Sequence, residues 1–174
     1  MIKIGITGSL SSGKTTASKI ISRGRGPLFS ADTVVRKLYS KKRFKIFIAK
    51  KLNFQFNPQF SKIIKSIILK KKESLKKLEK IIHPLVRKSM HAFSKKNKNK
   101  KLLFFEIPLL VESKLLKYFD VVIFIKSKKN ERLKRYISKN GNAKLFHLLD
   151  SQQMKDSIKM KFCDYIVVNN SSLN

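Results

Sequence analysis

Eight consecutive residues near the N-terminus are of the types that bind phosphate groups. Residues 8–15 read GSLSSGKT and match the pattern GxxxxGK[ST]; we call them the phosphate loop. Gly8 and Gly13 allow the tight turns that aim successive backbone N–H groups at an anion. Lys14 places a charge on the β- and γ-phosphates, and the Thr15 hydroxyl can ligate Mg²⁺. The other residues that we expect to contact the nucleotide here are Ser11, Ser12 and Thr16.

Two carboxylates follow apolar segments that read as strands. Asp32 comes after the second such segment and Glu106 after the third. In doubly wound sheets the ligand crevice lies at the carboxyl ends of the strands. Asp32 could therefore accept the proton of an acceptor hydroxyl, and Glu106 could support Mg²⁺ through water. Two simpler explanations stay open: Asp32 could cap a helix that starts near Thr33, and Glu106 could be an ordinary strand-end polar residue.

The elements that must position these groups alternate along the chain. Short apolar, β-branched or aromatic runs predict five strands, at residues 2–6, 28–29, 102–105, 121–125 and 165–168. Helical segments separate the strands, the first of them at about 13–23. Apolar strands alternating with helices predict an α/β fold with a parallel sheet covered on both faces.

A long helical stretch separates the second and third strands. Residues 33–99 read as helical, with a connector at 53–58. Apolar residues between 75 and 86 recur at spacings of three and four, as on one face of a helix. Pro84 falls within that pattern and should kink or restart the helix. Further helices are predicted at 108–117, 128–138 and 143–161.

Composition limits the possible classes of protein. The 174 residues include 41 Lys and Arg against 10 Asp and Glu, a net charge of +31, yet 42% are apolar, which argues against disorder. The lysines are spread along the chain and cluster beside predicted helices, which indicates a compositional excess on solvated faces. A functional basic surface with a general attraction for polyanions stays open. A nucleic-acid partner is not expected, because no recognition-helix or aromatic-interleaved basic motif is present. One cysteine excludes a disulfide framework and a cysteine-based zinc site.

The sequence also bears on the location and assembly of the protein. No apolar run approaches the roughly 20 residues that a membrane-spanning helix needs. The N-terminus lacks the features of a secretory signal. We therefore expect a cytoplasmic protein without membrane contact, present as a monomer or weak oligomer.

Other nucleotide-binding classes fit less well. A guanine-specificity motif NKxD would need an acid where Lys100 stands after Asn97 and Lys98. Motor-type ATPases need longer chains. These exclusions leave a small kinase that acts on the hydroxyl of a small molecule, of the nucleoside or shikimate type among others. A basic nucleic-acid-binding protein with a vestigial phosphate loop, or an inactive kinase, also stays open.

A series of motifs in order is similar to one kinase family. The segments are GITG at 5–8, SAD at 30–32, LEKIIHPLVR at 78–87, PLLVE at 108–112 and FDVV at 119–122. From end to end the chain resembles bacterial dephospho-coenzyme A (dephospho-CoA) kinases, and the pairing of the His-Pro element with the Pro-Leu-Leu-x-Glu element is more specific than the phosphate loop.

The resemblance implies a reaction and its participants. ATP, with Mg²⁺ held by Thr15 and Glu106, would phosphorylate the ribose 3′-hydroxyl of dephospho-CoA to give coenzyme A and ADP, the last step of coenzyme A synthesis. Asp32 would be the general base, acting with Lys14. The residues implied near the acceptor are Asp32, His83, Arg87 and Glu112, and Arg135 would join the ATP contacts.

The resemblance also implies a division of the chain. A P-loop kinase core would comprise 1–32, 101–127 and 162–174, with an inserted helical CoA-binding subdomain at 33–100 and a helical lid at 128–161. Some departures bear on these roles: Ser9 and Ser11 stand where the family has glycines, and Ser30 replaces an acid. For His83, Arg87, Arg135 and Glu112, ordinary structural roles stay open, including pairing of Glu112 with a lysine.

Overall fold

The computed structural model describes residues 1–170 and confirms the parallel sheet. The strands are β1 (Ile2–Gly8), β2 (Leu28–Ser30), β3 (Leu102–Glu106), β4 (Val121–Lys126) and β5 (Tyr165–Val168). Their order is β2-β3-β1-β4-β5, and every neighbouring pair is parallel. β1 therefore lies at the centre, and its carboxyl end leads into the phosphate loop. Residues 171–174, which the sequence assigned to the core, lie outside the described residues.

Eight α-helices connect and flank the described strands. They are α1 (Lys14–Ser22), α2 (Ala31–Ser40), α3 (Lys42–Lys51), α4 (Phe60–Lys70), α5 (Lys72–Lys96), α6 (Lys129–Ile137), α7 (Ala143–Ser151) and α8 (Asp156–Lys159). The chain forms two compact units, one of residues 1–31 and 93–170 and the other of residues 32–92. We call them the sheet unit and the helical unit.

The sheet unit is packed on both faces at its centre, because residues 102–105 of β3 are all apolar. On one face, Ile6 and Phe104 pack with Ile21 of α1. On the other, Phe105 stacks edge-on against Phe93 and Phe119, at centroid distances of 5.4 and 5.3 Å. Adjacent residues of a strand point to opposite faces, so the pair 104–105 supplies one aromatic ring to each side.

The helical unit has a core of its own. Ile48, Phe60, Ile64 and Leu78 are buried there, from α3, α4 and α5. Tyr39 packs against the Phe60 ring at 5.9 Å. Burial of the Tyr39 hydroxyl raises its pKa. The predicted insertion thus has enough buried apolar surface to be a compact body.

Two of the predicted helices differ in the structure. Residues 108–117 do not form a helix: they run in turns, followed by a 3₁₀ helix at Leu116–Tyr118, because Leu110, Val111 and Leu115 are all drawn into the core. The helix predicted at 143–161 is broken between α7 and α8.

Proline does not restart the long helix. Pro84 lies inside α5, which continues for a further twelve residues. The proline is exposed, and a single missing N–H removes one hydrogen bond of many. Burial of Leu78, Val86 and Met90 along α5 stabilises the helix on both sides of it.

Candidate active site

The phosphate loop turns at the two glycines that the pattern GxxxxGK[ST] requires. Gly8 has φ +149° and Gly13 has φ +89°. A Cβ at Gly8 would come within 2.5 Å of the Ile125 carbonyl oxygen, and one at Gly13 would meet the Asn169 side chain at 2.1 Å. Both positions therefore need glycine for backbone angle and for space.

Lys14 is almost fully enclosed by the loop that precedes it. Its side chain is 7% exposed, and its Nζ donates to the Ser9 carbonyl oxygen at 2.7 Å. A buried ammonium is a strong charge for an anion that enters the loop, because low polarity around it weakens screening. Lys14 also begins α1, whose N-terminal N–H groups add positive potential.

Thr15 and Glu106 meet directly behind the phosphate loop. The Thr15 hydroxyl donates to Glu106 Oε1 at 2.5 Å. Glu106 is 1% exposed, and its Oε2 is buried with no hydrogen-bond partner among residues 1–170. A hydroxyl beside an unsatisfied carboxylate oxygen is the hard oxygen donor set that Mg²⁺ takes up with waters and phosphate oxygens. The residues present therefore fit the ion that the sequence implied.

Arg135 contacts the backbone of the phosphate loop from α6. Its Nη1 donates to the carbonyl oxygens of Ser12, at 3.5 Å, and Asn169, at 3.1 Å, and to the Ser127 hydroxyl at 3.1 Å. The Asn169 amide also donates to the Ser12 carbonyl at 2.9 Å. The end of β5 and α6 thus both hold this turn. Its predicted contact with ATP stays a prediction.

A second arginine of α6 lies near the loop. Arg132 is 6% exposed, pairs with Asp150 at 2.5 Å and stacks over the Phe146 ring at 5.8 Å. Its Nη1 also approaches the Leu10 carbonyl oxygen at 3.4 Å. The partner Asp150 comes from α7, so the ion pair joins α6 and α7 within the predicted lid.

Glu112 lies in an ion pair. Its Oε1 is 2.6 Å from Nζ of Lys159, which is completely buried, and it accepts the Met154 N–H at 3.2 Å. The structural alternative, pairing with a lysine, is therefore what the structure shows, and contact with the acceptor stays a prediction. Lys159 belongs to α8, and the Asp156 carboxylate at the other end of α8 accepts the Ser9 hydroxyl.

Sequence reasoning did not identify Asp156, Asp150 or the pairing partner of Glu112. Asp156 lies 147 residues from Ser9, and no spacing rule relates positions so far apart. The one signal was chemical: acids are few in this chain, so each buried or half-buried one needs a partner. Burial and the neighbouring Asp164 carboxylate raise the pKa of the Cys163 thiol to about 11, so the thiol is a weak nucleophile near neutral pH.

The helical unit holds the other predicted acceptor residues. His83 is half-buried and Arg87 exposed, one turn apart on α5. His83 lines a cavity of about 420 Å³ together with Tyr39 and Glu79. Its other lining residues are mainly apolar and include Phe60, Ile64, Ile68 and Leu78.

Asp32 lies in the first turn of α2, which begins at Ala31 rather than Thr33. It is therefore not the cap of a helix that starts at the next residue, and a carboxylate in a first turn is stabilised by the helix dipole. Ser30, two residues earlier, pairs with Glu106 in the register of β2 and β3.

None of the helices within residues 1–170 is long and apolar enough to cross a bilayer.

Comparison with known proteins agrees with this geometry. The family model for dephospho-CoA kinase matches residues 2–174. A dephospho-CoA kinase of Fusobacterium nucleatum is 31% identical, with 98% of this chain and 90% of the relative covered. The solved dephospho-CoA kinase from Campylobacter jejuni is 26% identical with a TM-score of 0.62, over 98% of this chain and 89% of that one.

A crystal structure of a Thermus thermophilus protein superposes with a TM-score of 0.75 at 24% identity, over 98% of this chain and 90% of that one, and supports the fold. The match of the family model across both units, and the relatives' agreement over nearly their full lengths, lead to one assignment. This chain belongs to the dephospho-CoA kinase family.

Proposed function

We propose how the residues described above carry out the reaction of the family, ATP-dependent phosphorylation of the dephospho-CoA ribose 3′-hydroxyl to coenzyme A. The chain is a phosphotransferase with an alcohol group as acceptor, and the nucleoside or shikimate-type alternative is not favoured. The observation that carries this function is the family match over residues 2–174, since it includes the phosphate loop and the helical unit alike.

The phosphate loop holds the triphosphate in this proposal. Backbone N–H groups between Gly8 and Thr16 bind phosphate oxygens, and the positive φ of Gly13 allows the turn that aims these groups at the anion. Lys14 exchanges its present partner, the Ser9 carbonyl, for the β- and γ-phosphates. Its charge then offsets the negative charge that develops on the transferring group.

Thr15 and Glu106 would hold Mg²⁺ at the same end of the sheet. Their oxygens meet at 2.5 Å, and Glu106 keeps one buried oxygen without a partner. When bound, Mg²⁺ supplies charge neutralisation on the β- and γ-phosphate oxygens. Glu106 is proposed to act through water molecules: Oε1 already accepts from the Thr15 hydroxyl, and Oε2 would accept from a water ligand of the ion.

Asp32 is proposed as the general base. Its carboxylate would accept the hydrogen of the 3′-hydroxyl and hold the oxygen in line with the γ-phosphorus. This role rests on the similarity of residues 30–32 to the family motif. The proposed acceptor residues His83 and Arg87 are carried by α5, and Glu112 would support the site from its ion pair with Lys159.

Several wider roles belong to the same proposal. The helical unit would bind the CoA moiety, the helices between 128 and 161 would cover ATP, and closure would exclude water so that ATP is not hydrolysed. We expect a cytoplasmic enzyme that acts as a monomer or weak oligomer and has no nucleic-acid partner.

The reaction is tested by the identity of the product. Purified protein is incubated with dephospho-CoA and MgATP, and the CoA species are analysed by mass spectrometry. We expect one phosphate added at the ribose 3′ position and ADP formed in equal amount. An unchanged CoA precursor, with ADP released from ATP only when a nucleoside or shikimate is supplied as the acceptor, would contradict the assignment.

A further inference from the structure

The first turn of the phosphate loop is tied to a distant helix by a side chain outside the pattern. The Ser9 hydroxyl donates to the carboxylate of Asp156, the first residue of α8. Ser9 is buried, with 2% of its surface exposed. A hydrogen bond to a charged acceptor in such a place is worth more than one at the surface.

The carbonyl of the same serine holds the loop lysine. Lys14 Nζ donates to the Ser9 carbonyl oxygen at 2.7 Å. The conformation of one residue, Ser9, therefore controls both a backbone oxygen that competes for Lys14 and the start of the turn that must receive phosphates. A glycine at this position would have no side chain through which to be held.

α8 is itself anchored at its other end. Lys159, its last residue, is fully buried and pairs with Glu112 at 2.6 Å. The Gln153 side-chain oxygen also accepts from Lys159 at 3.2 Å, and the Met154 N–H donates to Glu112. Since α8 spans four residues, fixing Lys159 fixes Asp156 as well.

From this arrangement we propose that Asp156 is a positioning residue for ATP: through the Ser9 hydroxyl it holds the phosphate loop open in the form that binds the triphosphate, with the Glu112–Lys159 pair as its anchor. The role lies within the proposed function, since it concerns the nucleotide half of that site. Asp156 acts only through Ser9 and does not take part in phosphoryl transfer. Its loss should therefore weaken ATP binding much more than it slows turnover at saturation.

A double-mutant cycle tests the link between the two side chains. The variants are Ser9→Ala, Asp156→Ala and the double variant, with Ser157→Ala on the exposed side of α8 as the control. We expect each single variant to raise the Kd for MgATP, by isothermal titration calorimetry, and the KM for ATP by about tenfold. The double variant should be no worse than either single variant, kcat should fall less than about twofold, and Ser157→Ala should match the wild type.

The conservative variant separates positioning from general stabilisation. Asp156→Asn keeps an oxygen that can accept the Ser9 hydroxyl, so we expect its Kd for MgATP to stay within about twofold of the wild type. The proposal would be overturned if the increases in Kd of the two single variants multiplied in the double variant. It would also be overturned if Asp156→Asn bound MgATP as weakly as Asp156→Ala. If Asp156→Ala does not fold, Ser9→Ala and Asp156→Asn still give opposite expectations.

The same binding measurement keeps this inference apart from the reaction itself. A wild-type protein that binds MgATP but leaves dephospho-CoA unchanged would contradict the proposed function, while the cycle of Kd values would still decide the role of Asp156. Conversely, a Ser9→Ala variant with normal turnover and an unaltered Kd for MgATP would contradict the role of Asp156 and leave the proposed function intact.

Discussion

At the scale of single residues, the site depends on charged side chains that are buried at the phosphate loop. Lys14 is enclosed and hydrogen-bonded to the loop's own carbonyl, and Glu106 is buried beside Thr15. Groups held in place before substrate arrives need little reorganisation when charge develops, which is how electrostatic stabilisation becomes large. Lys14 is such a group, and the exposed Asp32 is the proposed base; we expect removal of these two residues to cost turnover most.

Removing either charge should reduce turnover strongly. We expect Lys14→Ala and Asp32→Asn each to lower kcat at least about 100-fold, as losses of comparable electrostatic groups do. Steady-state assays with ATP and dephospho-CoA measure this. Lys19→Ala on α1 and Glu73→Gln in the first turn of α5 are the controls, since both residues are exposed, and they should keep wild-type rates. A near wild-type rate for Asp32→Asn would remove its assignment as the base.

Ser11 is the residue of the loop under backbone strain. Its φ of +57° is left-handed, a region that costs a residue with a side chain about 1 kcal/mol or more. We expect Ser11→Gly to raise the free energy of unfolding by about 0.5–1 kcal/mol, because relief of strain exceeds the added freedom of the unfolded chain. Urea unfolding measures the change.

A serine within a regular helix is the control, because its replacement by glycine should change the free energy of unfolding in the opposite direction. Ser66 is exposed within α4, so Ser66→Gly should lower the free energy of unfolding by about 0.5–1 kcal/mol. If Ser11→Gly is destabilised as much as this control, its left-handed backbone does not carry the strain assigned to it.

At the scale of elements, one buried aromatic side chain connects several segments of the helical unit. Phe60 starts α4, is 3% exposed and packs against the rings of Tyr39, Phe54 and Phe56. Its neighbours come from different segments of the unit. The ring therefore joins segments that helix propensity alone would not hold together.

Truncation of that ring should destabilise the helical unit. We expect Phe60→Ala to lower the free energy of unfolding by about 3–5 kcal/mol, the cost of a buried phenylalanine with its cavity. Phe47→Ala is the matched control: the ring is 43% exposed, and its loss should cost less than about 1 kcal/mol. Urea unfolding followed by circular dichroism compares them, and equal losses would contradict the assigned core.

At the scale of the whole molecule, the net charge of +31 should attract anionic substrates. ATP and dephospho-CoA both carry phosphate groups, and the ten acids of the chain are partly used in internal pairs such as Glu112–Lys159. A positive field of this kind raises the local concentration of anions and is screened by salt within about 10 Å at 0.1 M. Nucleotide capture should therefore depend on ionic strength.

Salt should act on binding more than on turnover. Raising NaCl from about 50 to about 300 mM should raise the KM for ATP at least about threefold and change kcat less, since buried charges such as Lys14 are screened little. Assays at constant free Mg²⁺, with sucrose at matched osmolality as the control, measure this. A KM that does not respond to salt would show that the surface charge plays no part in substrate capture.

The sequence by itself determined the local features. The phosphate loop, the strands at 121–125 and 165–168 and the parallel sheet follow from short-range rules, because glycine conformation and the apolar period are properties of neighbouring residues. The motif order was also enough to indicate the family. The expected helix at 108–117 failed because burial of Leu110 and Leu115 outweighs helix propensity.

Only the tertiary structure decided which distant side chains meet. The bonds from Ser9 to Asp156 and from Glu112 to Lys159 join positions 147 and 47 residues apart, and their energy depends on burial that no local pattern records. A charged group that the fold buries is too costly to keep without a partner. The partners of the few acids in this chain are therefore a property of the fold.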